Sequence, residues 1–314
     1  MEKDDKIFVT GHRGMVGSAI IRYLTMHGFK KIVTITRQGL DLRDQSGVNK
    51  FLAENEPQYV FLAAAKVGGI QANINAPADF LYDNLVIQNN IIHSSHSHNV
   101  KKIIYLGSSC IYPRDAEQPM KEDSLLTGPL EPTNEGYALA KIIGLKMTQY
   151  YQKQFQLDCL NVMPCNLYGT NDHYDPVNSH VMTALIRKFC DAVDSGSSEV
   201  MMWGTGSAKR EFMHVDDFVN ALFFLIEHWQ TAELINVGTG VDWTIRELAT
   251  IIAKEVGYQG RITWDVSKPD GMPRKCLDIS KLQQLGFQSS INLEQGIRKT
   301  INEYRTLKKE GMIK

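Results

Sequence analysis

The sequence has few cysteines, no long apolar run and almost no net charge. Its five cysteines form no C-x-x-C pair, so neither a disulfide framework nor a zinc site is expected. Free thiols are typical of a reducing compartment, and we expect a cytoplasmic protein. No apolar run approaches the roughly 20 residues that a membrane span needs. The charged start, Met1 to Lys6, lacks the apolar core of a signal peptide.

The small net charge excludes further classes of function. With 34 basic and 35 acidic residues, the chain offers no excess of charge for a nucleic acid or a membrane surface, so we expect neither as a partner. His93, His96 and His98 come at the end of a predicted helix, but their spacings do not place all three on one helical face. We interpret them as a polar helix end and expect no metal site.

The start of the chain has the pattern of a dinucleotide-binding unit. The apolar strand from Lys6 to Thr10 leads into glycines at 11, 14 and 17, and an amphipathic helix follows from Ser18 to His27. Glycines permit a tight turn and a close approach of the backbone to a pyrophosphate at the helix N-terminus. The spacing here is G-x-x-G-x-x-G, so the flanking strand and helix carry as much weight as the glycines.

The second strand, Lys31 to Thr36, decides which nicotinamide cofactor is expected. An acidic residue after this strand binds the ribose of NAD, whereas an arginine suits the 2′-phosphate of NADP. The segment 31–40 has no Asp or Glu, but it contains Arg37, and Arg13 lies in the glycine loop. The sequence therefore predicts NADP(H), with Asp41 and Leu42 beside the adenine.

Further strands and helices alternate along the chain. Strands are predicted over 59–62, 103–106, 158–162 and 234–238, and helices over 45–54, 78–99, 136–155 and 216–229. This alternation is typical of α/β proteins with a parallel sheet. We expect a Rossmann-type doubly wound parallel sheet with a smaller, interleaved C-terminal α/β substrate lobe. Within the segment from Val200 to Phe212, the pattern predicts a strand, a turn and a second strand.

Tyr137 and Lys141 are candidates for proton transfer. They lie four residues apart in a predicted helix, so both side chains share one face. The pKa of a free tyrosine is about 10, and an adjacent ammonium favours its phenolate. Ser108 follows a strand and could bind the same substrate oxygen. The same spacing also occurs on solvated helix faces, so the assignment of this pair to catalysis depends on the neighbouring motifs.

The sequence resembles the extended short-chain dehydrogenase/reductases over nearly its whole length. General features are residues 10–17, Ser108, and Tyr137 with Lys141. Within this family it is similar to the branch that acts on GDP-linked keto sugars. The more specific motifs are G-S-S-C-I-Y-P (107–113), E-P-T-N (131–134), N-S-H-V (178–181), R-E-F-M-H-V-D-D (210–217) and K-P-D-G (268–271).

The resemblance implies two reactions in one pocket: 3,5-epimerisation and NADPH-dependent 4-keto reduction of GDP-4-keto-6-deoxy-D-mannose to GDP-L-fucose. It assigns Cys110 and His180 as the base and acid of the epimerisation, and Tyr137 as the donor of a proton to O4 during reduction. Ser108 and Lys141 complete this catalytic set. Without the resemblance, Cys110 would be interpreted as a small buried apolar residue, and His180 as a residue that binds backbone at a helix start.

The resemblance also implies binding residues. Those for the cofactor are Gly11, His12, Arg13, Gly14, Met15, Val16, Gly17, Arg37, Asp41, Leu42, Ala63, Ala64, Leu106, Gly107, Ser108, Ser109, Lys141, Pro164, Cys165, Asn166, Leu167 and His180. Those for the nucleotide sugar are Lys188, Trp203, Arg210, Asp270 and Lys275. The three cations can neutralise a diphosphate, although Lys188 and Lys275 could also be surface charges and Trp203 could pack in a core.

Further expectations concern organisation. We expect an NADP-binding domain over 1–165 with 211–238 returning to it, and a nucleotide-sugar lobe over 166–210 and 239–314. The resemblance implies a homodimer through helices 78–99 and 136–155, and a GDP-mannose 4,6-dehydratase as the pathway neighbour. Three departures from the family pattern are Gly136 for Pro, Cys165 for Thr, and Met182-Thr183 for Ile-Pro.

Two alternatives remain open. Another nucleotide-sugar enzyme of the same fold, such as a 4-epimerase, a 4,6-dehydratase or a 4-reductase, would share the fold and the Tyr-Lys pair. A dehydratase is expected to carry an Asp-Glu pair where this chain has Ser109-Cys110. A non-catalytic NADP-sensing protein is more remote, because such proteins often lose the Tyr-Lys pair.

Overall fold

The fold was analysed in a computed structural model, in which residues 1–175, 179–268 and 270–313 are described. Asn178 and Pro269, which belong to two of the motifs above, lie outside these residues. The strands are β1 Ile7–Val9, β2 Ile32–Val33, β3 Tyr59–Leu62, β4 Lys102–Leu106, β5 Asp158–Pro164, β6 Asn166–Tyr168, β7 Glu199–Trp203, β8 Lys209–His214, β9 Leu234–Val237, β10 Asp242–Thr244, β11 Arg261–Asp265 and β12 Arg274–Lys275. The helices are α1 Met15–Met26, α2 Gln45–Asn55, α3 Ile70–Asn75, α4 Pro77–Ser97, α5 Glu135–Phe155, α6 Val181–Asp194, α7 Val215–His228, α8 Ile245–Val256, α9 Ser280–Gln284 and α10 Leu293–Lys309.

A six-stranded parallel sheet organises the first part of the chain. Its order is β2-β1-β3-β4-β5-β9, and every neighbouring pair is parallel. Its central strands are mostly apolar, because helices cover both faces of such a sheet; β1, for example, is buried at all three residues. Helix α1 packs beside α7, and α4 packs against α2 and α5. The predicted α/β class and the return of a late strand to the sheet are confirmed.

The chain order changes direction at β1, the second strand of this sheet. Strand β2 lies on one side of β1, and β3 lies on the other side. In open α/β sheets, ligands bind at such a switch point, outside the carboxyl ends of the strands. The crevice above β1 and β3 is therefore where a cofactor is expected.

A second layer is built from the remaining strands and helices. Strand β8 pairs with β10 antiparallel and with β12 and β6 parallel, whereas β7 pairs only with β11 among the described residues. The two predicted strands within 200–212 thus belong to different sheets. Two hydrophobic cores result, and β8 joins them, since Met213 packs in the first and Phe212 in the second.

Two helices of this second layer, α8 and α10, have strong start signals. Each begins with a capping box, in which the N-cap side chain and the residue three positions later bond each other's backbone N–H. The pairs are Thr244 with Glu247 and Asn292 with Gln295. None of the helices formed by the described residues is both long and apolar enough to cross a membrane.

Candidate active site

The glycine loop after β1 packs directly against the turn that follows β3. Gly11 has a φ of +64°, and a Cβ placed on it would lie 2.9 Å from the Cα of Ala64. A Cβ on Gly17 would lie 2.2 Å from the carbonyl oxygen of Gly11. Both positions exclude a side chain, so the turn stays tight. Helix α1 starts here without a side-chain cap, and its N–H donors form a site that fits a pyrophosphate.

Apart from Lys141 on α5 and His180 at the start of α6, the predicted cofactor residues lie at the carboxyl edge of the six-stranded sheet. They follow the ends of five parallel strands, whose carboxyl ends share that edge. Gly11 to Gly17 follow β1, Arg37 to Leu42 follow β2, Ala63 and Ala64 follow β3, Leu106 to Ser109 end β4, and Pro164 to Leu167 join β5 to β6.

Beyond β2, one carboxylate is paired with arginines. Asp41 accepts hydrogen bonds from Arg43 Nη2 at 2.7 Å and Arg43 Nε at 3.0 Å, and these bonds lower the pKa of Asp41 to about 2. Arg43 also bonds Asp83 on α4 at 2.9 Å. Arg37 lies 3.7 Å from Asp41 with a side chain 74% exposed. The Asp41 charge is therefore neutralised by Arg43, and Arg37 can meet another anion.

Lys141 is fixed from several sides. Its Nζ donates to the carbonyl of Leu106 at 2.8 Å and lies 5.4 Å from the ring centroid of Tyr105. The Tyr105 hydroxyl is 3.1 Å from Gln88 Oε1 and 3.0 Å from the carbonyl of Lys141. Gly144 makes this approach possible, because a Cβ there would lie 2.3 Å from the Tyr105 hydroxyl. Burial lowers the pKa of Lys141 to about 8.

The surroundings of Tyr137 favour its protonated phenol form. Burial raises the pKa of Tyr137 strongly, the neighbouring Cys110 adds to the effect, and a hydrogen bond with Ser108 opposes it. The Lys141 Nζ lies 5.7 Å from the Tyr137 ring centroid. The expected stabilisation of the phenolate is thus outweighed by burial. A neutral phenol can donate a proton, which a carbonyl oxygen needs as hydride arrives at its carbon.

Cys110 is 5% exposed and lies in a short 3-10 turn after Ser108. Its N–H donates to Ser108 Oγ at 3.4 Å. Burial raises the pKa of the Cys110 thiol, and the ammonium groups of Lys275 and Lys141 oppose this effect. The structure therefore brings Lys275, predicted as a diphosphate ligand, close to the predicted base.

His180 lies apart from this group, at the N-cap of α6. No contact joins it to Ser108, Cys110 or Tyr137 among the described residues. Its Nδ1 is 3.8 Å from Asp172 Oδ1, and its side chain is 47% exposed. The interaction with Asp172 raises the pKa of His180, while burial opposes this change.

The predicted sugar-binding residues collect around β7, β8 and β12. Lys275 and Arg210 are direct register partners on β12 and β8. Trp203 is 71% exposed at the end of β7, so it is not a core residue. Asp270 accepts bonds from the N–H and the hydroxyl of Thr205 and thereby shapes the turn beside Trp203. The ammonium of Lys188 donates to the carbonyl of Met201.

Glu211 holds this region together and was missed in the sequence. It is 1% exposed, and its carboxylate accepts N–H bonds from Thr239 at 2.6 Å, Gly240 at 2.7 Å and Leu277 at 2.8 Å. It therefore ties β8 to the segments around β10 and β12. The sequence could have indicated this role, because a Glu in a predicted buried strand, between Arg210 and Phe212, needs polar partners.

The three histidines near the end of α4 have separate partners. His93 Nδ1 lies 2.8 Å from the Tyr151 hydroxyl, and His96 stacks on Phe155 with ring centroids 4.1 Å apart. His98 Nε2 bonds the Asn49 side chain at 2.8 Å. In the part of the chain that the structure describes, no group of three such ligand types is arranged to hold a metal ion.

The structure shows what surrounds the residues that depart from the family pattern. A Cβ on Gly136 would lie 2.7 Å from the carbonyl oxygen of Pro77, so a proline ring would require the start of α4 to shift. Cys165 is 7% exposed, and its thiol donates to the carbonyl of Asn166 at 3.8 Å. The third departure, Met182 and Thr183, is buried in the first turn of α6, where the Thr183 hydroxyl donates to the carbonyl of His180 at 3.2 Å.

Comparison with known proteins places this geometry in context. Residues 7–238 match the model of the NAD dependent epimerase/dehydratase family. GDP-L-fucose synthase 1 from Arabidopsis thaliana is 52% identical over 303 residues, 96% of this chain and 94% of that protein. GDP-L-fucose synthase from Escherichia coli K12 is 51% identical, over 94% of this chain and 95% of that protein. MlghC, a GDP-mannoheptose C4 reductase from Campylobacter jejuni solved with NADP bound, is 36% identical with a TM-score of 0.90, over 97% of this chain and 99% of that chain.

Proposed function

The chain belongs to the NAD dependent epimerase/dehydratase family, and from this membership we propose that it converts GDP-4-keto-6-deoxy-D-mannose to GDP-L-fucose with NADPH. The observation that carries the proposal is the Ser108, Cys110, Tyr137 and Lys141 cluster at the carboxyl end of β4. It combines a thiol for proton removal from carbon with a protonated phenol for proton delivery to oxygen. The relatives that share about half of its residues along nearly the whole chain are GDP-L-fucose synthases.

The proposed mechanism has two stages. The ketone at C4 acidifies the hydrogens on C3 and C5, since their removal gives an enolate on O4. The Cys110 thiolate removes these protons, His180 returns protons to the opposite face, and Ser108 with Tyr137 holds the enolate oxygen. NADPH bound at the glycine loop would supply hydride for C4; Tyr137 gives its proton to O4, with Lys141 held beside it.

The two parts of the chain divide the binding. We propose that residues 1–165 with 211–238 bind NADP(H), and that 166–210 and 239–314 bind the GDP-sugar. The glycine loop after β1, which fits a pyrophosphate, supports the first assignment. The second is supported by the cations of Arg210 and Lys275, which lie side by side on β8 and β12. The GDP-sugar substrate also implies a GDP-mannose 4,6-dehydratase as the enzyme that supplies it.

The test is incubation with NADPH and GDP-4-keto-6-deoxy-D-mannose, followed by identification of the sugar by NMR. GDP-L-fucose with one NADPH oxidised per product supports the proposal. A 4-reduced sugar with unchanged C3 and C5 would identify a C4 reductase, the activity of the Campylobacter neighbour. Epimerisation at C3 or C5 without NADPH consumption would show that the 4-keto reduction is absent, and neither binding nor turnover of the sugar would indicate an NADP sensor.

Cofactor preference gives a first prediction. We expect Arg37→Ala to raise the Michaelis constant for NADPH much more than that for NADH, because the exposed guanidinium would meet the 2′-phosphate and Asp41 is already neutralised by Arg43. Steady-state kinetics with both cofactors measure the effect. Lys50→Ala on α2 removes a similarly exposed cation, 77% exposed, and should change neither constant. Equal effects of Arg37→Ala on both cofactors would exclude a contact with the 2′-phosphate.

Substrate anchoring gives a second prediction. We expect Arg210→Ala to weaken GDP binding by about 1.5–3 kcal/mol, the range for a hydrogen bond to a charged group, while NADPH binding stays unchanged. Titration calorimetry with GDP measures this loss. Arg261→Ala on β11, where the side chain is 76% exposed, is the matched control and should bind GDP normally. Intact GDP binding by Arg210→Ala would assign Arg210 a structural role.

Oligomeric state gives a third prediction. We propose a homodimer through α4 and α5, because α5 exposes Leu139, Ile143 and Tyr150 along one face and α4 exposes Tyr82 beside it. Sedimentation velocity should show twice the 35.4 kDa mass of the chain, and Ile143→Asp should give the monomer because it places a charge in the apolar contact. Val193→Asp, at an exposed valine on α6, should remain dimeric. A monomeric wild type would contradict the proposal.

A further inference from the structure

A buried carboxylate faces the histidine that is proposed to act as the epimerisation acid. Asp172 lies in the loop between β6 and α6, and its side chain is 5% exposed. Its Oδ1 accepts the N–H of His173 at 2.7 Å. Its Oδ2 is buried and has no hydrogen-bond partner among the described residues. A buried, unpaired carboxylate oxygen is costly, so a donor is expected to approach it.

The backbone of this loop is built to hold Asp172 in place. Gly169 and Asn171 both have positive φ, 135° and 66°, and the N–H of Asp172 closes the turn onto the carbonyl of Gly169 at 3.1 Å. The N–H of Asn171 donates to Glu303 Oε1 on α10 at 2.8 Å. A Cβ on Gly169 would lie 2.9 Å from His214 Nε2. The turn is therefore fixed by β8 and α10 from outside, independently of His180.

The donor that Asp172 faces is His180. Nδ1 of His180 is 3.8 Å from Asp172 Oδ1, within the distance of an ion pair. The other charged group near this pair interacts with Asp172. Glu303 on α10 interacts with Asp172, Asp216 and Arg22, whereas Asp172 is the only charge that acts on His180 among the described residues.

We infer that Asp172 is a positioning residue that holds His180 protonated and oriented by its Nδ1, so that Nε2 carries the proton that the epimerisation uses. This inference rests on the proposed function. A carboxylate that accepts the Nδ1–H of a histidine fixes its tautomer and favours its charged form. The direction of the effect agrees, since Asp172 raises the pKa of His180.

The proton and electron balance follows from this arrangement. The Cys110 thiolate takes the proton from C3 or C5, the electron pair of that C–H bond forms a C=C bond to C4, and the π pair of the C4 carbonyl moves to O4. Both shifts reverse as carbon takes a proton from Nε2 of His180 on the other face. The thiol then loses its proton to solvent, and the neutral imidazole gains one from solvent, so deuterated water labels each centre.

The test combines a titration that needs no activity with an exchange assay. In Asp172→Asn, the amide oxygen can still accept the His173 N–H, but the charge is gone. We expect the pKa of His180, followed by the NMR shift of its ring Cε1–H, to fall by about one unit. The resonance is assigned by its loss in His180→Asn. The pH at which deuterium exchange at C3 and C5 stops rising should also move lower, because His180 is deprotonated earlier while the Cys110 thiolate is still the minor form.

Two further variants make the outcome specific. Asp172→Glu keeps the charge and should restore much of the His180 pKa, which a merely structural loss would not do. Asp191→Asn removes a carboxylate that pairs with Lys308 at the far end of α6, and it should leave the His180 titration unchanged. An unchanged His180 pKa in folded Asp172→Asn would overturn the inference whatever the reaction is. A lowered pKa with an unmoved exchange profile would overturn the use of His180 as the acid, and with it that part of the proposed function.

Discussion

In deuterated water without NADPH, Cys110→Ser is expected to lose about 10²–10⁴-fold of the deuterium exchange at C3 and C5 of the keto sugar, the range for removal of a general acid or base. Oxygen replaces sulfur at nearly the same volume, so the buried turn after Ser108 is preserved. The hydroxyl has a far higher pKa than the thiol and is a poor base. Proton NMR of the sugar follows the exchange directly, without contribution from hydride transfer.

The pH dependence of the wild type gives a second check on the same base. Burial raises the pKa of the Cys110 thiol above its ordinary value, with Lys275 and Lys141 opposing the rise. The reactive thiolate is therefore the minor form near neutral pH, and exchange should increase with pH until His180 loses its proton. The Cys110→Ser variant should lack this rise.

The matched control is Cys159→Ser. Cys159 is a buried thiol on β5, 1% exposed, whose donor contact is the carbonyl of Leu157. It lies in the sheet core and is not assigned to proton transfer, so exchange should stay at the wild-type rate. If Cys110→Ser also exchanged at that rate, Cys110 would be a packing residue and another group would be the base.

For Tyr137→Phe the opposite pattern is expected. Reduction of the 4-keto group should fall by about 10²–10⁴-fold, because no phenol remains to protonate O4 as hydride arrives. Deuterium exchange should survive at a lowered rate, since Ser108 can still bind the enolate oxygen. NADPH oxidation at 340 nm measures the first effect, and NMR measures the second.

The burial of Tyr137 explains why its phenol suits this role. Burial raises the pKa of Tyr137, so the proton stays in place until the oxygen of the ketone becomes basic during hydride transfer. Tyr258→Phe, at another buried tyrosine in the second layer, should keep both activities. Equal losses of exchange and reduction in Tyr137→Phe would show that Tyr137 serves the enolate and not the reduction specifically.

Local sequence signals were sufficient for the cofactor half of the fold. The glycines at 11, 14 and 17 predicted a strand, a tight turn and a helix, because each element is determined within about twenty neighbouring residues. The apolar strands ending at Leu62 and Leu106 were equally clear, since a strand covered on both faces is apolar throughout. Their shared parallel edge followed from the alternation with helices.

The second layer was predicted less well, for two different reasons. Helices α8 and α10 were not assigned, although their capping boxes at Thr244 and Asn292 are local signals that could have located them. The separation of β7 and β8 into different sheets had no such signal. Strand pairing depends on which distant segment supplies the hydrogen bonds, and β11 and β12 come more than fifty residues later.

By itself, the sequence determined the glycine loop, the alternation of parallel strands with helices and the residue types available for chemistry. Only the tertiary structure decided their electrostatic surroundings. Lys275 approaches Cys110 because β12 aligns beside β8, and Asp172 faces His180 because Glu303 on α10 holds its turn. Burial also reversed the expected direction of the Tyr137 pKa shift. A pKa depends on desolvation and on charges within a few ångströms, and those neighbours are set by packing between segments up to 165 residues apart, as Cys110 and Lys275 are.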